Sequence, residues 1–173
     1  MSVVPTRSFP PRGRALIMLL GLCAIAGVSA EPPKHYPFVA YNEGLKAQKA
    51  GGKPMMIYFG RPGCAYCERT NVEGFGHDDL RRNYSQHFVL VYVDTESGAR
   101  VTLPSGERTT EAELANQYRV RMTPTFVYLN PAGQEVARLF GIQQKKDLAA
   151  LDHYMASGVY KTKPFRQFLA EQK

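Results

Sequence analysis

Apolar positions along the chain gather into short, dense runs separated by polar segments rich in Gly and Pro. Pro54 to Gly60, PMMIYFG, and His87 to Val93, HFVLVYV, are continuous apolar stretches of strand length. A strand without polar alternation reads as buried on both faces, as in a parallel or mixed sheet covered by helices. Thr125 to Leu129 reads as a third strand. Pro131-Ala132-Gly133 then predicts a tight turn, with Glu135 to Phe140 returning as an antiparallel strand. Helical patterns fill the intervals. Asn42 to Ala50 is closed by Gly51-Gly52, and a helix opens at Cys64, after the breaker Arg61-Pro62-Gly63, and runs to about Val72. Asp78 to Asn83 is a further helical piece. Thr110 caps a helix over Glu111 to Tyr118, with Glu113 at the capping-box position. Lys145 to Ala156 carries Leu148, Leu151 and Met155 on one face, and Pro164 to Ala170 closes the series. The polar segment Thr95 to Thr110, centred on Pro104-Ser105-Gly106, reads as a long loop or a small hairpin. This order of elements predicts an α/β fold with a central mixed β-sheet flanked by helices.

The first 30 residues follow a different pattern. Arg7, Arg12 and Arg14 stand in a stretch without any acid, ahead of a 14-residue apolar run from Ala15 to Val28. Val28-Ser29-Ala30 supplies small residues before Glu31. That is the layout of a secretory signal peptide over residues 1–30. The run is short of the roughly 20 apolar residues a spanning helix needs. Leu22 before Cys23 argues against a lipoprotein site, and no Arg-Arg pair suggests the twin-arginine route. Residues 31–173 are then expected to form a single domain, with the Pro-rich arm EPPKHYPF at its start and a helical extension at its end.

Export changes how composition is read. The chain has 173 residues, 44% hydrophobic and 21% charged, which suits one globular domain. The formal charge of +7 comes from 22 basic against 15 acidic residues. Without Arg7, Arg12 and Arg14 the balance is 19 to 15, a net +4, and the charges are interspersed. No basic stripe interleaved with aromatics points to nucleic acid. Cys23 leaves with the leader, so two cysteines, Cys64 and Cys67, remain in an oxidising compartment.

Those two form a C-x-x-C directly after a buried strand and at the first turn of a helix. A helix N-terminus carries unsatisfied N–H groups and about half a positive charge. It favours a thiolate over a thiol, so Cys64 is expected to be exposed and nucleophilic. Cys67 lies on the same helical face and is placed to resolve a mixed disulfide at Cys64. Two other uses of the same pair fit it less well. A structural disulfide closing so short a loop would contribute only about 2 kcal/mol. A structural zinc needs about four ligands, and His35, His77, His87 and His153 are not at ligand spacing to the cysteines. The second informative element is Met122-Thr123-Pro124-Thr125, where Pro124 at the mouth of a strand is a candidate cis-proline.

From about Asn42 to Gly158 the chain resembles the thioredoxin superfamily. The resemblance rests on the strand ending at Phe59, Cys64-Ala65-Tyr66-Cys67, the strand ending at Val93-Asp94, Tyr118-x-Val120, Thr123-Pro124-Thr125 and the Pro131-Ala132-Gly133 hairpin. The two motifs stand 57 residues apart in the family's order. The loop Thr95 to Thr110 and the tail Leu151 to Phe168 are most similar to exported bacterial thioredoxins of the SoxW-like type. The C-terminal domain of DsbD-type reductases is a more distant likeness. The resemblance implies that Cys64 attacks and Cys67 resolves. It also implies that Pro124 packs as a cis-proline against the disulfide, that the backbone of Thr123 pairs with an extended substrate, and that Ala65 and Tyr66 tune the pair. Three positions depart from thioredoxin itself. Tyr58 stands where a buried Asp serves as proton acceptor, with Glu68 and Glu73 as candidate replacements. Gly63 stands in place of a Trp, and Ala-Tyr replaces Gly-Pro.

The expected function is an exported, periplasmic, monomeric thiol–disulfide oxidoreductase with no cofactor beyond its own dithiol. It would reduce or exchange disulfides in periplasmic proteins and draw electrons from a membrane-embedded donor. The Ala-Tyr dipeptide also suits a dithiol oxidase or isomerase. Two cysteines could instead hold Cu(I) in a metallochaperone.

Overall fold

The computed structural model describes Met1 and residues 31–172. The expected signal peptide lies outside the described residues. The elements in chain order are α1 (Tyr41–Gly51), β1 (Met55–Gly60), α2 (Ala65–Glu73), α3 (Asp78–His87), β2 (Val89–Asp94), β3 (Arg100–Thr102), β4 (Arg108–Thr110), α4 (Glu111–Gln117), β5 (Thr125–Leu129), β6 (Glu135–Phe140), α5 (Lys145–Ala156) and α6 (Phe165–Glu171). A 3-10 turn, Val159–Lys161, lies before α6.

The main sheet has the order β2-β1-β5-β6. β1 runs parallel to β2 and antiparallel to β5, and β5 pairs antiparallel with β6. This is the mixed sheet expected from the sequence. The two central strands are buried at every position. Their side chains divide by the period of two. Met56, Tyr58, Phe126 and Tyr128 enter one core with Leu80 and Tyr84 of α3, Leu148, Leu151 and Met155 of α5, and both cysteines. Met55, Ile57, Phe59, Val127 and Leu129 enter the other with Tyr41 of α1 and Leu114 of α4. The α5 face read from the sequence is the one that is buried.

Several boundaries differ from the sequence reading, each for a local reason. Helix α3 continues to His87 instead of stopping at Asn83, and β2 starts only at Val89. His87 is held in the last turn of α3 because its Nδ1 meets Asp152 Oδ1 of α5 at 2.7 Å. The helix then closes with Phe88 N–H on Tyr84 O. Thr95 to Thr110 is a hairpin, β3 paired with β4. Tyr118 is the C-cap of α4 and not part of it, and the N-terminal box on Thr110 and Glu113 is formed from both sides. The Pro-rich arm packs along the fold. Val39 N–H bonds Leu90 O, Tyr92 N–H bonds Val39 O, and the buried Tyr36 donates to Phe75 O at 3.0 Å.

Candidate active site

The site is built where β1 ends and α2 begins. Pro62 and Gly63 turn the chain, and Gly63 has φ +66, the left-handed region that favours glycine. That backbone accounts for a glycine at the position where a Trp was the family expectation. Cys64 is the N-cap of α2 and not its first helical residue, and its Sγ accepts a hydrogen bond from Cys67 N–H at 3.1 Å. A sulfur thus fills the role that Ser, Thr or Asp oxygens usually fill at helix starts. Cys64 and Cys67 are joined in a disulfide with their Cα atoms 5.2 Å apart.

The second wall arrives with the loop before β5. The Thr123–Pro124 peptide bond is cis, Pro124 is buried, and the Thr123 hydroxyl donates to Cys64 Sγ at 3.3 Å. Thr123 lies outside the strand ladder, which starts at Thr125. The structure therefore brings together Cys64, Cys67, Thr123 and Pro124. Ala65 and Tyr66 occupy the first turn of α2 and face solvent, Tyr66 at 63% exposure.

One expectation needs correction. Cys64 is not exposed: it retains only 4% of its surface, and Cys67 2%. Sequence placed Cys64 at a helix end but did not show that the Thr123 segment, 59 residues away, would cover it. The side-chain role of Thr123 was also missed, since only its backbone was assigned. A hydroxyl-bearing residue directly before a strand-opening proline was the available signal.

Beneath the disulfide lies Tyr58. Its hydroxyl donates to Asn71 Oδ1 at 3.2 Å and approaches Cys67 O at 3.5 Å. Its ring packs on Phe126 at 4.6 Å between centroids. Burial pushes the Tyr58 phenol far above its ordinary range, and Coulombic interaction with Tyr92 adds to this. Tyr58 is therefore a neutral hydrogen-bond donor and not a substitute for a buried carboxylate. Of the two candidate acids, Glu73 is engaged with Arg69 Nε at 2.7 Å, and Glu68 is on the exposed face of α2. Asn71, which the sequence reading passed over, connects Tyr58 to the arm through its Nδ2 donating to Glu31 O at 3.0 Å.

Chemically, two hydrogen-bond donors converge on one sulfur at the positive end of a helix. If the disulfide is reduced, the same donors stabilise a thiolate at Cys64. Among the described residues, no group of three or more His, Cys, Asp or Glu side chains is arranged to hold a metal ion. No helix among them is long and apolar enough to cross a membrane.

Comparison with known proteins agrees with this geometry. Residues 41–156 match the thioredoxin-like domain family. The disulfide bond reductase DsbH of Chlamydia pneumoniae is 26% identical over 101 residues, a span covering 58% of this chain and 60% of that protein. A thioredoxin from Thermus thermophilus is 31% identical, with a TM-score of 0.56 over 72% of this chain and 92% of its own. A thioredoxin-fold protein from Helicobacter pylori is 25% identical, with a TM-score of 0.57 over 73% and 92%.

Proposed function

The chain belongs to the thioredoxin-like domain family, and we propose that it is a thiol–disulfide oxidoreductase that works as an exported reductant of disulfides in periplasmic proteins. The single observation that carries the thiol–disulfide chemistry is the pair of donors, Cys67 N–H and the Thr123 hydroxyl, aimed at Cys64 Sγ. Those donors favour the ionised form of Cys64 and so mark it as the attacking sulfur; stabilising the reduced form makes a dithiol more oxidising, so the direction of electron flow rests on other grounds. The reducing direction is supported by the name of the Chlamydia relative, a disulfide bond reductase. The signal-peptide pattern of residues 1–30 supports export.

In the proposed cycle the Cys64 thiolate attacks one sulfur of a substrate disulfide. A Cys64–substrate bond forms and the other substrate sulfur leaves as a thiolate. Cys67, deprotonated as it reacts, then attacks Cys64 Sγ, which restores the Cys64–Cys67 disulfide and releases the second substrate thiolate. Two electrons pass from the dithiol to the substrate, which takes up two protons. A membrane-embedded dithiol donor would return the protein to its reduced form. Pro124 would pack against the substrate disulfide, and the backbone of Thr123, free of the β5 ladder, would lie alongside the substrate chain. Ala65 and Tyr66 would border its path. The hairpin β3–β4 and the C-terminal helices, on which the SoxW-like resemblance rests, would then distinguish this chain from shorter thioredoxins.

The test is turnover of a protein disulfide by the reduced wild type and by Cys64→Ser. The account expects the variant to lose essentially all activity. Equal activity of the two would remove Cys64 from the chemistry and with it this reading. Cys67→Ser, by contrast, is expected to accumulate a covalent mixed disulfide with the substrate.

A further inference from the structure

A cluster of arginines flanks the cis-proline loop. Arg121 stands two residues before Thr123, whose hydroxyl touches Cys64 Sγ. Its side chain lines two adjoining depressions. One, of about 270 Å³, lies toward Arg61 and Thr123; the other, of about 810 Å³, is bordered by Arg119, Arg138 and the exposed Phe140. Nearby acids offset Arg138 and Arg61 and leave the charges of Arg119 and Arg121. Glu135 is engaged with Arg138 at 2.7 Å and Glu96 with Arg61 at 3.5 Å. Arg119 and Arg121 are exposed, and neither forms an ion pair among the described residues.

Arg119 also sits in an unusual conformation. It is the residue just past the C-cap of α4, with φ 55. Its N–H bonds Asn116 O, and Val120 N–H bonds Ala115 O, the paired pattern of a Schellman helix stop. Glycine is the residue that takes that position without strain. Arginines near a helix C-terminus can serve as dipole partners. Here the terminal carbonyl of Tyr118 is already taken by Arg138 Nη1 at 2.6 Å. A strained arginine without an ion pair, on the segment that leads to Thr123, calls for a use outside the fold.

We propose that the groove running from the disulfide past Met122 and Arg121 to Arg119 and Phe140 receives an acidic polypeptide segment flanking the substrate's disulfide. The inference rests on the reading that the protein reduces protein disulfides, and it adds the class of substrate. A positive groove beside the reacting sulfur raises the encounter rate with acidic partners and penalises basic ones. The exposed Met122 and Phe140 add apolar contact along the same path.

The test uses three synthetic peptides with one identical disulfide loop, flanked by four Glu, four Gln or four Lys. At low ionic strength, kcat/KM is expected to fall in that order, with about a fivefold step from Glu to Gln that shrinks as salt screens it. In the double variant Arg119→Gln, Arg121→Gln the Glu-to-Gln ratio is expected to approach one. Arg82→Gln on α3 removes the same kind of surface charge in the other layer and should keep the ratio. Equal turnover of the three peptides, or a ratio that survives the double variant, overturns the proposal. If no peptide is reduced, the reductase reading fails, and the groove is then decided separately. Fluorescence anisotropy of a labelled, cysteine-free Glu-rich peptide on the oxidised protein should show binding that the double variant loses. No binding by wild type would overturn the proposal.

Discussion

Replacing Thr123 by Val keeps the branched shape beside the disulfide but removes the hydroxyl that donates to Cys64 Sγ at 3.3 Å. In the reduced protein that hydroxyl helps hold a thiolate. A hydrogen bond to a charged acceptor contributes about 1.5–3 kcal/mol. The bond is to sulfur, and Thr123 is only half-buried, so the lower end, about 1.5 kcal/mol, is appropriate. At about 1.4 kcal/mol for each pH unit, the midpoint of Cys64 ionisation should rise by about one unit. The same loss falls on the reduced state wherever Cys64 is ionised, so the disulfide form gains. For a two-electron couple the potential should move about 30 mV more negative. The assay is the pH dependence of Cys64 alkylation in the Cys67→Ser background. Thr123→Ser, which retains the hydroxyl, should stay close to wild type. An unmoved or lowered midpoint in Thr123→Val would refute the claim that this side chain holds the thiolate.

Three further outcomes follow from the same geometry. Tyr58→Phe should leave the pH–rate profile of disulfide reduction unchanged, because burial keeps this phenol neutral through the working range; it should cost about 1 kcal/mol of stability through the lost bond to Asn71. A profile that lost a limb in the variant would instead make Tyr58 a proton carrier. His87→Ala should destabilise the fold by about 2 kcal/mol in denaturant titration, since it leaves the buried Asp152 without its partner; a change too small to resolve would mean that Asp152 finds water. Arg119→Gly should raise stability by about 1 kcal/mol by relieving the left-handed backbone, while weakening the preference for acidic peptides. A variant with unchanged melting would show that Arg119 carries no strain.

Much of this architecture was legible because it is local. A continuous apolar run marked β1 as a strand buried on both faces, while the similar run in β2 lies at the sheet edge and is only partly buried; Thr110 with Glu113 marked the start of α4 through an interaction three residues long. The reactive pair was legible for the same reason, since Cys64 and Cys67 share one helical turn. What escaped depends on residues distant in sequence. The end of α3 is set by Asp152, 65 residues beyond His87, so an apolar run that reads as starting at His87 gives up that residue to a helix and Phe88 to its cap. The burial of Cys64 and the hydroxyl on its sulfur both come from the Thr123 loop. The arm read as extended because of its prolines. That left unread the lodging of Tyr36 against Phe75 and the bonding of Val39 beside β2. The arginine groove is likewise assembled from the β1–α2 turn, the end of α4 and strand β6, and no single window of sequence contains it.

The direction of electron flow is the centre of the account, and the equilibrium potential of the Cys64–Cys67 couple reports it most directly. Titration against glutathione buffers, read by separating oxidised from reduced protein, gives that value. A potential near about −270 mV is the predicted result and marks a reductant; one near about −120 mV would mark a disulfide donor and contradict the account.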